Sequence, residues 1–140
     1  MAAFNKFNSF VEALAEKVHN LGSDTLKVML TNTAPVATNT VKANLTEIAA
    51  GNGYTAGGNT ATVTSSAQTS GTYKLVLGDP ATWTATGGSI GPFRYAALYN
   101  DTATNDELIG WWDYGSAVTL ADGESFAVDF DPTTGVLTLA

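Results

Sequence analysis

The fold is decided by two neighbouring stretches, FRYAALYN at residues 93–100 and LIGWWDYG at residues 108–115. Successive side chains of a β-strand point to opposite faces, so both stretches place apolar residues on each face of a sheet. Trp111 and Trp112 are therefore expected on opposite faces. A sandwich strand needs only one buried face. The second face must be covered by the helix, by the long loop or by another chain, and internal cover and an interface remain equal alternatives.

Short strands separated by turn residues extend on both sides of these stretches. The predicted strands are residues 25–31, 60–65, 72–78, 81–84, 93–100, 108–114, 117–120, 124–131 and 136–139. The clearest turn is Asp122-Gly123, because a type I′ hairpin turn needs positive φ at two successive residues. Eight or nine strands without β–α alternation predict a mainly β, two-sheet antiparallel sandwich, and its expected form is a jelly roll.

The N-terminal segment, residues 1–22, predicts an arm followed by one amphipathic α-helix over residues 8–21. Apolar residues recur there at steps of three and four, which places them on one stripe of a helix. Phe4 and Phe7 belong to this series but precede the capping-box spacing of residues 9–12, so they are assigned to the arm.

A length of 140 residues suits a single domain, residues 1–140. Within it, residues 33–58 contain four Gly and little hydrophobic periodicity, and they predict a long loop. Part of this loop, GNGYTAG at residues 51–57, superficially resembles a dinucleotide-binding fingerprint. That motif follows a parallel strand and begins a helix, and neither is predicted here, so a flexible loop is the better interpretation.

The balance of charge disfavours polyanionic partners. Six Lys and Arg stand against thirteen Asp and Glu, which gives a formal net charge of −7. Proteins that bind nucleic acid or an anionic membrane use clustered Lys and Arg, so neither partner is expected. The sequence also lacks a transmembrane stretch and a signal-peptide pattern, so synthesis in a cytoplasm is expected.

The side chains that most enzymes use are scarce. The chain has no Cys and a single His, His19, which excludes Cys nucleophiles and multi-His metal sites. His19 is expected to be a surface or hydrogen-bonded residue. Asp129, Asp131 and the loop of residues 100–107 offer oxygen ligands of the kind that Ca²⁺ prefers, but Asn and Asp are also ordinary turn formers. No catalytic residue, cofactor or metal is predicted, and the protein is expected not to be an enzyme.

The pattern of strands and turns resembles that of a known group of proteins. The segments that carry the resemblance are RYAALYND, LIGWWDYG, LADGESF and GVLTL within residues 94–139, with FNSFVE and LKVMLTN near the N-terminus. They resemble small virion structural proteins of tailed bacteriophages, most closely the jelly-roll cement, or decoration, proteins of phage heads. The resemblance covers most of the chain, is weakest across residues 33–70, and rests on hydrophobic and turn patterns.

The resemblance implies a non-enzymatic protein of the virion that binds the major capsid protein on the head surface. It also implies a homo-oligomer, either a dimer or a trimer. A ligand that binds the closed shell but not its separate subunits would stabilise the shell by mass action. Two alternatives remain: a phage tail or baseplate component, and a carbohydrate-binding module that uses Trp111 or Trp112.

Four aromatic residues are the candidates for contact with a partner. They are Phe4 and Phe7 on the arm, with Trp83 and Trp112 in the β region. Buried aromatic side chains dominate interface energetics, and the loss of a central one typically costs about 2 kcal/mol or more. If the arm anchors the protein, removal of residues 1–8 leaves folding intact and abolishes binding to the shell.

Overall fold

The computed structural model describes residues 2–140 and is mainly β, with antiparallel sheets. Its strands are β1 (Asn5–Lys6), β2 (Leu26–Thr31), β3 (Asn59–Ala61), β4 (Val63–Thr69), β5 (Thr72–Leu77), β6 (Trp83–Thr84), β7 (Ile90–Asn100), β8 (Leu108–Leu120), β9 (Ser125–Phe126) and β10 (Leu137–Leu139). Within the described residues there is one α-helix, α1 (Ser9–Ala15), and one short 3-10 helix (Lys42–Asn44). The predicted mainly β class with a single N-terminal helix is confirmed.

Two sheets form the layers of the molecule. The larger has the order β1-β8-β7-β2-β3 and the smaller has the order β10-β5-β4, while β6 and β9 form a separate two-stranded ladder. The main core joins the layers: Leu26, Val28 and Leu30 of β2 belong to the same buried cluster as Leu75 and Leu77 of β5. This arrangement agrees with the predicted sandwich, and jelly-roll connectivity stays a prediction.

The larger sheet is also covered on its second face. A separate buried cluster there contains Phe7, Met29, Leu45, Ala97, Tyr99 and Leu108. Phe7 comes from the arm and Leu45 from the long loop, whereas the other four are sheet residues. Of the two alternatives for this apolar face, cover from within the chain is the one observed.

Hydrogen bonds within the long loop, and one from the sheet to it, hold the loop in place. The Glu47 carboxylate accepts from the Tyr54 hydroxyl at 2.7 Å and from the Gly57 N–H at 2.6 Å. The Tyr99 hydroxyl donates to the Gly57 carbonyl at 2.7 Å. Burial raises the pKa of Tyr54 far above its usual range, so its hydroxyl keeps its proton and remains a donor. These bonds satisfy polar groups that would otherwise be costly to bury.

The helix is shorter than the predicted span of residues 8–21. It ends at Ala15, and Lys17 has a positive φ of 65°. Beyond the helix, Leu21 packs in the main core and His19 hydrogen-bonds to Asn100, the last residue of β7. Leu21 and His19 are thus buried by contacts with distant parts of the chain, although the segment that carries them is irregular. Tertiary packing here overrides the helix that the spacing of apolar residues predicts.

The predicted strand over residues 124–131 is wrong in extent. Only Ser125–Phe126 forms a ladder, and its partner is β6. The Phe130 N–H donates to the Asp79 carboxylate at 2.7 Å instead of to a neighbouring strand. A side-chain acceptor distant in sequence thus replaces the ladder that the alternation predicts.

The turns also differ in detail from the prediction. At Asp122-Gly123 only the glycine has a positive φ, 89°, and the flanking strands do not pair, so this turn is not a type I′ hairpin. The type I′ geometry occurs at Ser70-Gly71, where φ is 50° and 84°, between β4 and β5. The two predicted strands of residues 108–114 and 117–120 form one strand, β8, with an irregularity in register between them.

Candidate functional site

Three of the four predicted contact residues are buried in the folded chain. Phe7 is 0% exposed, Trp83 is 1% exposed and Trp112 is 6% exposed. Phe4 is partly buried and packs against the main core. Enclosed side chains are not available to a partner, so the structure does not support Phe7, Trp83 and Trp112 as contact residues. The fold uses these rings to fill its interior.

The arm belongs to the larger sheet, where β1 pairs with β8. Phe4 and Phe7 pack on opposite faces of β8: Phe4 lies 5.4 Å from Trp112 and Phe7 lies 4.5 Å from Trp111, measured between ring centroids. The Phe4 ring rests on bare backbone at Gly110, where a Cβ would overlap it. The opposite placement of the two Trp is thus confirmed, and the arm covers both of them.

An open apolar groove is bordered by β7, β8 and the segment of residues 126–129. Its volume is about 340 Å³. We call it the aromatic groove and define it by the residues at its rim, Arg94, Tyr95, Tyr114, Phe126 and Asp129. Its floor is apolar and continuous with the main core. Concave apolar surfaces with a few polar groups are typical of binding sites.

Tyr114 is the most prominent side chain of the aromatic groove. It is 59% exposed, more than any other large hydrophobic residue among residues 2–140. Its ring packs edge-on against Phe126 at 5.5 Å, and Phe126 packs in the same manner against buried Phe93 at 4.9 Å. A ring held in this way loses little conformational entropy when a partner covers it.

An ion pair lies beside Tyr114 at the rim. The Arg94 guanidinium donates to both carboxylate oxygens of Asp113, from Nε at 2.7 Å and from Nη2 at 2.9 Å. Together with the Gly115 N–H, it lowers the pKa of Asp113 below its usual range. Arg94 also lies 5.4 Å from the Tyr95 ring centroid. Tyr, Phe and Arg are the residues enriched in protein interfaces, so the groove has the chemistry of a protein-binding surface.

In the loop of residues 100–107, which was considered as a cation site, Asn100 and Asp101 bind other side chains of the protein. The Asn100 amide nitrogen lies 2.7 Å from Asp24 Oδ2 and 3.0 Å from His19 Nδ1. Asp101 pairs with Lys27 at 3.3 Å. Across residues 2–140, no three His, Asp or Glu side chains gather in a group that could hold a metal ion.

His19 was expected to be either a surface residue or a hydrogen-bonded one. It is 4% exposed and hydrogen-bonded. The Asn100 amide nitrogen can only donate, so His19 Nδ1 accepts and Nε2 carries the proton. That Nε2 has no hydrogen-bond partner among the described residues. Burial lowers the pKa of His19, against the opposing effect of the Glu107 and Asp24 carboxylates.

The sequence did not indicate that Tyr114 and Phe126 border an open groove. Alternation places Tyr114 on the same face as Trp112 without deciding which face is buried, and Phe126 was assigned to the predicted strand of residues 124–131. Both reach the rim because regular pairing ends near them, at the irregularity of β8 and after the short β9. The alternation of apolar and polar residues along a strand does not indicate where the opposite sheet ceases to cover it.

Within the described residues, no helix is long and apolar enough to cross a membrane. Comparisons with protein-family models, curated proteins and solved structures find no match for this chain.

Proposed function

We propose that the protein is a non-enzymatic structural protein of a phage particle, a cement protein that binds the outer surface of the assembled capsid shell. The observation that carries the proposal is the aromatic groove, a concave apolar surface with exposed Tyr114 at its rim. The similarity in strand and turn pattern supports the choice of the major capsid protein as partner.

The proposed action is thermodynamic. A protein that binds the closed shell, but not separate subunits, shifts the assembly equilibrium toward the shell. Contacts with two or more neighbouring capsid subunits combine through effective concentration, so a groove of modest size suffices. The larger sheet carries a buried cluster on each face, and this packed sheet supports the groove. The net charge of −7 favours a position outside the shell, away from packaged DNA.

A capsid segment in the groove would cover the Tyr114 ring and bring polar groups to Arg94 and Asp113. A central aromatic contact contributes about 2 kcal/mol or more, which corresponds to about a 30-fold change in affinity. The exposed ion pair is expected to affect specificity and salt dependence more than affinity.

The test is cosedimentation of the purified protein with assembled heads of the phage whose genome encodes it. Tyr114→Ala is expected to weaken binding at least about 30-fold with only a small loss of stability, because the ring is mostly exposed and contacts Phe126 at its edge. Val36→Ala is the matched control, since Val36 is 53% exposed but lies in the long loop, outside the groove. Equal binding by both variants would contradict the role of the groove.

The same particles distinguish head from tail. A copy number in the hundreds per particle would place the protein on the head, and a handful of copies would place it in the tail or baseplate.

A carbohydrate-binding module is the second candidate, because Tyr114 is exposed and Trp111 is only partly buried. Trp112 is too deeply buried for this role. Saccharide binding that quenches Trp fluorescence would favour this candidate, and a glycan array without binding would dismiss it.

A further inference from the structure

The edges of the two larger sheets differ in length. Three of the four outermost strands, β1, β3 and β10, contain only two or three residues each. The fourth, β4, contains seven residues, Val63–Thr69. An edge strand offers unpaired backbone groups to other chains, and very short edge strands are one way in which proteins prevent such pairing. Only β4 lacks this protection among these edges.

The sequence of β4 gives it little other protection. VTSSAQT contains neither a charged residue nor Pro, which are the usual blocking residues on edge strands. Five of its seven residues are exposed. One irregularity in register occurs between Val63 and Ser65, so the remainder of the strand, residues 65–69, pairs regularly with β5.

The hairpin turn determines which backbone groups of β4 point outward. Thr69 and Thr72 flank the two-residue turn and face each other in the ladder. Antiparallel ladders alternate between hydrogen-bonded and non-hydrogen-bonded pairs. The N–H and C=O groups of Ser66 and Gln68 therefore point away from β5, toward the open edge.

We propose that β4 pairs antiparallel with β4 of a second copy of this chain, which joins two three-stranded sheets into one six-stranded sheet. The charge distribution favours a second copy as the occupant. At a net charge of −7, two copies repel each other over most of their surfaces. Residues 63–71, which form β4 and its turn, carry no charge, so contact there avoids this repulsion.

Two-fold symmetry also suits the side chains of β4. In an isologous contact each strand faces its own sequence in reverse. With the two-fold axis at Ala67, the outward groups of Ser66 meet those of Gln68, and Ser65 of each copy opposes Thr69 of the other. Such pairs hydrogen-bond across strands and stabilise the ladder. The inference does not depend on the proposed function, because it concerns only how two copies associate.

The first test measures the oligomeric state by sedimentation equilibrium over a concentration series. Ala67→Lys places two like charges near each other at the proposed contact and is expected to raise the dimer dissociation constant at least about tenfold. Thr138→Lys adds the same charge to an exposed residue of the short edge strand β10 and is expected to dimerise like the wild type. Both variants reduce the net negative charge, so general repulsion cannot explain a loss of dimer in Ala67→Lys alone.

The second test uses the unmodified protein and does not depend on the folding of a variant. Hydrogen exchange at the Ser66 and Gln68 amides is expected to slow as protein concentration rises, while exchange in β10 stays constant. A wild-type chain that remains monomeric would overturn the proposal and point to a strand from a different protein as the occupant. Equal dimerisation of the two Lys variants, or exchange in β4 that is independent of concentration, would overturn it as well.

Discussion

Replacement of Phe7 by alanine is expected to destabilise the fold by about 4 kcal/mol. The Phe7 side chain is completely buried, and its ring lies 4.5 Å from that of Trp111. Removal of a buried Phe side chain typically costs 3–5 kcal/mol, since apolar burial is lost and a cavity remains. The aromatic contact contributes roughly 0.5–1.5 kcal/mol beyond area burial, which places the value near the middle of this range and not at its lower end.

The assay is urea unfolding followed by Trp fluorescence, with the free energy of unfolding obtained by linear extrapolation. Trp111 loses its cover in Phe7→Ala, so its native-state emission is expected to shift to longer wavelength. Val11→Ala is the control, because Val11 is 48% exposed on α1 and its truncation is expected to change stability by no more than about 0.5 kcal/mol.

A Phe7→Ala variant within about 1 kcal/mol of the wild type would refute this reasoning. Such a result would mean that the arm is a detachable tether, as the sequence alone suggested. The structure predicts the opposite, because removal of residues 1–8 uncovers both Trp111 and Trp112 and deletes β1. We therefore expect the truncated chain to be less stable than wild type, which corrects the expectation that it folds normally.

Two further predictions follow from the arm and from the buried imidazole. Gly110→Ala is expected to displace the Phe4 ring, because the added Cβ overlaps it, and to lower the free energy of unfolding by about 1–3 kcal/mol in the same urea assay. Unchanged stability would show that the ring does not rest on Gly110. Burial lowers the pKa of His19 below its ordinary value of 6.5, so the unfolded chain binds the proton more readily than the folded chain. The stability due to neutral His19 is therefore complete above pH 6.5 and decreases as the pH falls through that value toward the folded pKa. Unfolding of wild type and His19→Gln on both sides of pH 6.5 checks this, and an identical pH dependence of the two proteins would contradict it.

The elements that the sequence predicted well depend on local backbone geometry. Alternation along the predicted strand of residues 25–31 puts Leu26, Val28 and Leu30 on one face and Met29 on the other, and the structure places them in the two separate clusters. The same period of two separated Trp111 from Trp112 across the sheet. These predictions are correct whenever a strand forms, because the pleat of a strand determines the face to which each side chain points.

The elements that the sequence predicted poorly depend on partners distant in the chain. The end of α1 depends on the contact of His19 with Asn100, and the loss of the strand beyond Phe126 depends on the bond from Phe130 to Asp79. Neither partner can be identified from local periodicity.

The candidate site was the hardest part to predict. Phe7, Trp83 and Trp112 were selected because aromatic residues are frequent in interfaces, but the same residues are also the best fillers of a core. Residue type alone does not distinguish an aromatic residue of an interface from one of the core. Tyr114 was not among the candidates, and it is exposed because the facing layer does not cover it.

The central claim is that the protein stabilises an assembled shell by binding it in preference to its parts. The most direct measurement is a titration of labelled protein against intact heads and, separately, against the dissociated major capsid protein. The account predicts saturable binding to heads, weak or absent binding to free subunits, and heads that resist thermal disruption better when saturated. Equal affinity for heads and free subunits, or no binding to heads, would contradict it, because a ligand without differential affinity shifts no equilibrium.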